Sequence, residues 1–167
     1  MKEKTSGSRM EEEKDGLQKK GIYSTMKKLT RHQMRENAFI LVFERIFNDD
    51  SPSELLETAR ENDELEITPE VESMFLGVVR YQQSIDELIA ANLKKWKMER
   101  ISKVSLAILR LGVYEIVYSE DVDDDIVVSE CVKLAGDFAY EEDISFINGV
   151  LGSIVRSLNN KPAESQN

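Results

Sequence analysis

Histidine, cysteine and tryptophan each occur once in this 167-residue chain, and proline only three times. One histidine, His32, and one cysteine, Cys131, are too few for most metal-ligand sets and nucleophile–base pairs. A lone cysteine cannot close an internal disulfide, so a reducing cytoplasm is the natural compartment. The phosphate-cradling and nucleophile-elbow glycine motifs are absent. No apolar run approaches the roughly 20 residues that a membrane span needs. Met1 to Lys20 alternates Lys, Glu, Ser and Gly, without the apolar stretch and small-residue cleavage site of an export signal. These absences point to a soluble binding protein that is no enzyme and carries neither metal nor cofactor.

What is present is a globular composition, 41% hydrophobic and 32% charged, enough for one core with a tail. The net charge of −10 hides a division. Residues 1–35 hold ten Lys and Arg against five acids, a net +5, and residues 36–167 hold twelve against twenty-seven, a net −15. Lys27 to Arg35 reads K-K-L-T-R-H-Q-M-R, with no acid in it. Such a patch favours phosphates, while the acidic remainder repels them. Residues 1–26 read as a disordered charged tail, 27–160 as the folded domain and 161–167 as a flexible end.

Apolar residues recur at helical spacing through the folded part. Thr30 with Gln33 is a capping box, opening a helix over about 31–47 whose wide apolar surface suits a central position. Ser51-Pro52 opens a short helix and Thr68-Pro69 a long one. A second possible cap at Ser84 leaves open whether that long stretch is one helix or two. Ser102 opens a strongly apolar helix, which the acidic run Asp121 to Asp125 ends. Helices over about 127–138 and 145–158 follow. The β-branched run Ile126-Val127-Val128 has no partner strand, so the class is all-α.

Several residues invite chemistry but have plainer roles. Cys131, beside Glu130, sits among Val128, Val132 and Leu134 and reads as a small core residue. Arg110, Tyr114 and Glu115 read as internal hydrogen-bonding groups on a packed helix. Asn148-Gly149 reads as a close-packing point between helices. His32 lies in the basic stretch with no identifiable carboxylate partner, which suits a phosphate or backbone contact better than catalysis.

Three segments stand out together: Arg31-His32-Gln33-Met34-Arg35-Glu36-Asn37-Ala38, the run Val104 to Ile116 (V-S-L-A-I-L-R-L-G-V-Y-E-I), and Phe146-Ile147-Asn148-Gly149-Val150-Leu151. With Ser129 to Ala135 between the last two, they resemble the NusB family of transcription antitermination factors over about 26–159. The resemblance implies an all-α, NusB-like bundle of about seven helices. It also implies pairing with NusE, a small-subunit ribosomal protein. That heterodimer would bind boxA-like single-stranded RNA and keep RNA polymerase reading through ribosomal RNA operons. Arg31, His32 and Arg35 match the family's arginine-rich RNA-binding segment, which Lys27 and Lys28 extend. Phe146 matches an aromatic placed for RNA, although a core role suits it equally well. Glu99 and Glu142 match acidic positions near the NusE and RNA surfaces. Cations with aromatic faces are what single-stranded RNA needs, and an acidic body suits a basic ribosomal protein.

The chain departs from the family pattern in having fewer consecutive arginines, in the acidic loop 121–125 where proline and a basic residue are usual, and in Ser105 and Ser129. A related helical domain accompanies RNA cytosine methyltransferases, but no cofactor-binding domain follows Leu158 in this sequence. The remaining alternative is a self-associating helical module without RNA binding, with a homodimer covering the partner surface.

Overall fold

The computed structural model describes residues 28–63 and 65–160. The expected tails, 1–26 and 161–167, and the candidate Lys27 lie outside them. The chain divides into two units, Met1–Thr30 and Arg31–Asn167. In the first, the described residues 28–30 have no regular structure, and Lys28 is exposed.

The second unit contains six α-helices among the described residues: α1 (Arg31–Ile46), α2 (Pro52–Glu61), α3 (Pro69–Ala91), α4 (Lys103–Tyr118), α5 (Asp124–Phe138) and α6 (Glu141–Asn159). A 3-10 turn, Met98–Arg100, lies between α3 and α4. That makes seven helical segments and no strand among the described residues, in keeping with the expected class.

Local chemistry sets the helix starts. Ser51 accepts from the Glu54 amide while the Glu54 carboxylate accepts from the Ser51 amide, a complete capping box, with Pro52 in the first turn. Thr68 and Ser102 cap α3 and α4 by accepting from the amides of Val71 and Ser105. α5 and α6 have no side-chain cap and begin earlier than periodicity predicts. Asp124 and Asp125 occupy the first turn of α5, and Glu141, Glu142 and Asp143 that of α6. Carboxylates there favour the positive end of the helix dipole, so part of each acidic run is helix and not loop. α3 is one helix through Ser84, because Val78, Ile85 and Ile89 continue a single buried stripe.

The centre belongs to α4 and not to α1. α4 packs against α1, α3, α5 and α6, whereas α1 packs mainly on α2, α3 and α4 and reaches α5 through side chains. Residues 105–109, 111–113 and 115 of α4 are all buried, as suits a helix apolar nearly all round. Ile108, Leu109 and Leu111 are fully buried, as are Leu41, Phe75, Ile85, Ile89, Leu134, Ile147, Leu151 and Ile154, each side chain contributing about 1.5–3 kcal/mol. Gly112 is required where it stands: a Cβ there would lie 2.8 Å from Cys131 Sγ and 3.2 Å from Leu151. Cys131 is fully buried, as its apolar neighbours predict, and burial pushes its thiol pKa up.

Candidate nucleic-acid interface

The basic start of α1 divides into a face turned outward and a face turned in. Arg31 is exposed, His32 half-buried and Arg35 buried. Arg35 Nε donates to both oxygens of the Glu115 carboxylate on α4, at 3.0 and 2.9 Å. The two side chains are 2% and 3% exposed. Arg35 is therefore a structural ion pair in the core, and its expected place in an RNA contact is corrected. The cause is position: Arg35, Ala38, Phe39 and Val42 form one buried stripe of α1 at the three-and-four spacing of a helix face. Burial pushes the Glu115 carboxyl pKa up, against the pull of the Arg35 guanidinium.

His32 has the carboxylate partner that the sequence did not identify. Its Nδ1 hydrogen-bonds Glu130 on α5, and its Nε2 is 3.9 Å from Asp137. The other Glu130 oxygen accepts from Lys133 Nζ at 3.0 Å. Desolvation raises the Glu130 pKa, but the hydrogen bonds from Lys133 and His32 outweigh it and hold the carboxyl below its ordinary range. His32 is thus a bridge between α1 and α5, and Lys133 adds an exposed cation beside it. Arg31 borders a groove of about 800 Å³ that Tyr114 and Tyr118 also line, together with Glu70, Glu120 and Asp121. The acidic loop shares the neighbourhood of the one outward arginine of this turn.

Phe146 lies elsewhere on the bundle. It is half-buried on α6 and meets Trp96 edge to face, with ring centroids 6.0 Å apart. Trp96 is 54% exposed. Ser153 Oγ on α6 donates to Asn92 Oδ1 at 2.8 Å, fastening the end of α3 to α6 just before the segment that carries Trp96. That segment reads Lys94-Lys95-Trp96-Lys97, and all four residues are exposed. Sequence reasoning missed it, although lysines interleaved with the only tryptophan were a legible signal. Glu99 is exposed on the 3-10 turn that follows, and Glu142 is exposed one helical turn before Phe146. The two acidic candidates therefore border the aromatic pair in the chain.

The remaining expectations divide. Arg110 is a bidentate partner of Asp86, at 2.9 Å for each bond, and Glu115 is internal, as read. Asn148 and Gly149 are exposed, and a Cβ at Gly149 would meet nothing within 4 Å. The expected close packing there is corrected; Gly77, where a Cβ would fall 2.3 Å from the Tyr114 ring, and Gly112 are the close approaches. Aromatic side chains also gather along α1, where Phe43 contacts Phe39 and Phe47, and Phe39 contacts Phe138. Phe47 is 65% exposed.

A family model described as the NusB family matches residues 23–156. The transcription antitermination protein NusB of Oceanobacillus iheyensis is 34% identical over 127 residues, covering 76% of this chain and 99% of its own length. Its counterpart from Clostridium acetobutylicum is 36% identical over 135 residues, covering 80% of this chain and 100% of its own. Among solved structures, NusB of T. maritima superposes with a TM-score of 0.68 at 26% identity, covering 77% of this chain and 92% of that one. A chain from the crystal structure of antitermination factors NusB and NusE in complex with double-stranded RNA gives a TM-score of 0.67 at 26% identity, covering 76% of this chain and 96% of that one. The helix order and the extent of these matches lead to one conclusion: the chain belongs to the NusB family.

Proposed function

We propose that this protein is a transcription antitermination factor that pairs with NusE, binds boxA-like single-stranded RNA and holds RNA polymerase in elongation through ribosomal RNA operons. The observation that carries the reading is the contact of exposed Trp96 with half-buried Phe146, set among Lys94, Lys95 and Lys97. Unstacked bases rest on aromatic faces while lysines neutralise the phosphates, and Arg31 and Lys133 add exposed cations. Exposed Glu99 and Glu142 would meet a basic partner beside the RNA. The likeness to a chain solved with NusE and RNA supports the same reading. In this reading the protein works by binding, with Cys131 buried and its thiol pKa pushed up and His32 engaged with Glu130. Its place of work is the cytoplasm, where nascent RNA is made; no described helix is long and apolar enough to cross a membrane.

The experiment is anisotropy titration of a labelled boxA-like RNA with the protein, alone and with purified NusE, at two salt concentrations. Binding that tightens with NusE and weakens with salt is expected. Trp96→Ala should weaken it by about 1–3 kcal/mol, the cost of losing one stacked base. A second reading, self-association without RNA binding, draws on exposed Phe47 and Phe138 beside the α1 aromatics. It gains if RNA fails to bind in every arm while sedimentation shows a dimer.

A further inference from the structure

Arg45, Lys103 and Arg110 line a single cavity of about 250 Å³, in a part of the chain whose net charge is −15. Arg45 is in the last turn of α1, Lys103 opens α4, and Arg110 follows two turns further along. The apolar lining is Val42, Phe75, Val78 and Leu106, which are buried, with Ile46 and Val79, which are half-buried.

The charge in this cavity is not balanced. The Arg110 guanidinium is engaged by Asp86. Arg45 Nη1 donates to Gln82 Oε1 at 2.7 Å, a neutral partner. Among the described residues, no carboxylate lies within ion-pair distance of Arg45 or Lys103. Arg45 Nε is also buried and has no hydrogen-bond partner, which is uncommon for a charged donor and calls for an explanation. A buried arginine N–H without a partner, the exposed Lys103 and an amide border one concave, apolar-floored space, the composition of a small-ligand site.

We propose that this cavity binds a small oxyanion, either a phosphate or the carboxylate of a short-chain acid, through Arg45, Lys103 and Gln82. Its volume lies below the roughly 300–1,000 Å³ typical of pockets for larger ligands, which suits a small ion or short acid. Arg45 lies about 21 Å along the α1 axis from Arg31 at 1.5 Å per residue. The site is thus well away from Arg31, and neither Trp96 nor Phe146 is among its lining residues.

The test titrates the full-length protein with inorganic phosphate, with butyrate, and with potassium chloride at matched ionic strength. The Arg45 Nε–H resonance and the melting temperature are the readouts. The proposal expects a saturable shift of that resonance and a saturable rise in melting temperature with phosphate or butyrate, but not with chloride. Preference for phosphate identifies an inorganic oxyanion; preference for butyrate shows an acyl stem lying on Val42 and Phe75. Lys103→Gln, at an exposed position, should weaken binding about tenfold, the value of one charge-assisted contact, without moving the unliganded melt. Arg45→Met should abolish it. A response that is linear, that chloride reproduces, or that survives both substitutions overturns the proposal.

Discussion

Arg31 and Arg35 are one helical turn apart in the same basic stretch, yet one faces solvent and the other is sealed against Glu115. Replacing them should therefore have opposite consequences. Arg31→Ala is expected to leave stability within about 0.5 kcal/mol and to reduce the salt slope of RNA binding by about 1. Arg35→Ala leaves a buried carboxylate without its counter-ion and is expected to cost about 3–5 kcal/mol, measured by urea unfolding. An Arg35→Ala protein that unfolds at the parent's midpoint would remove this pair from the account of stability. The sequence allowed the distinction to be seen, since Arg35 is in register with Ala38, Phe39 and Val42; what it concealed was Glu115, 80 residues away, which makes a buried arginine tolerable. Glu130 gives a pH test. Its folded-state pKa is depressed below the ordinary 4.5. The stability it contributes is therefore present above the unfolded value and lost as pH falls through the folded one. Glu130→Gln should lower the melting temperature near neutral pH, and the difference from the parent should close as pH falls through the depressed folded-state value. A gap unchanged across that window would show that the His32–Glu130–Lys133 bridge contributes nothing.

At the scale of elements, the glycines of α4 and α6 separate packing from exposure. Gly112→Ala drives a methyl against Cys131 and Leu151 and is expected to cost about 1–3 kcal/mol as overpacking. Gly149→Ala meets open space and should stabilise α6 by up to about 1 kcal/mol, because alanine is the better helix former. Thermal melts of the two variants should move in opposite directions; the same direction for both would mean that the local geometry around one glycine is misassigned. Helix number and order were readable because each apolar stripe has a three-and-four period and three of the starts carry a hydroxyl cap. The starts of α5 and α6 were not, since a carboxylate run reads equally as loop or as the first turn of a helix. The same ambiguity made α1 look central: its apolar surface is wide, but part of it remains at the surface as Phe43 and Phe47.

Over the whole molecule, charge separates the functions. Residues 36–167 carry a net −15, so the exposed cations of Arg31 and of the Lys94–Lys97 segment work against the general field of the protein. RNA should bind weakly to the protein alone and more tightly beside a basic partner. That partner's association rate, followed by stopped flow, should fall at least about tenfold from low to high salt. A rate indifferent to salt would leave the acidic surface without a role in pairing. The candidate RNA surface was half legible in the sequence. Arg31 and Phe146 were found from motifs, but the meeting of Phe146 with Trp96 depends on a tertiary contact between α6 and the segment after α3. That contact has a practical consequence. Trp96 is the only tryptophan, so the long-wavelength intrinsic fluorescence of the protein originates at this one corner of its surface. Emission colour and acrylamide quenching then report on whatever covers Trp96, and the unmodified chain is its own optical probe of occupancy.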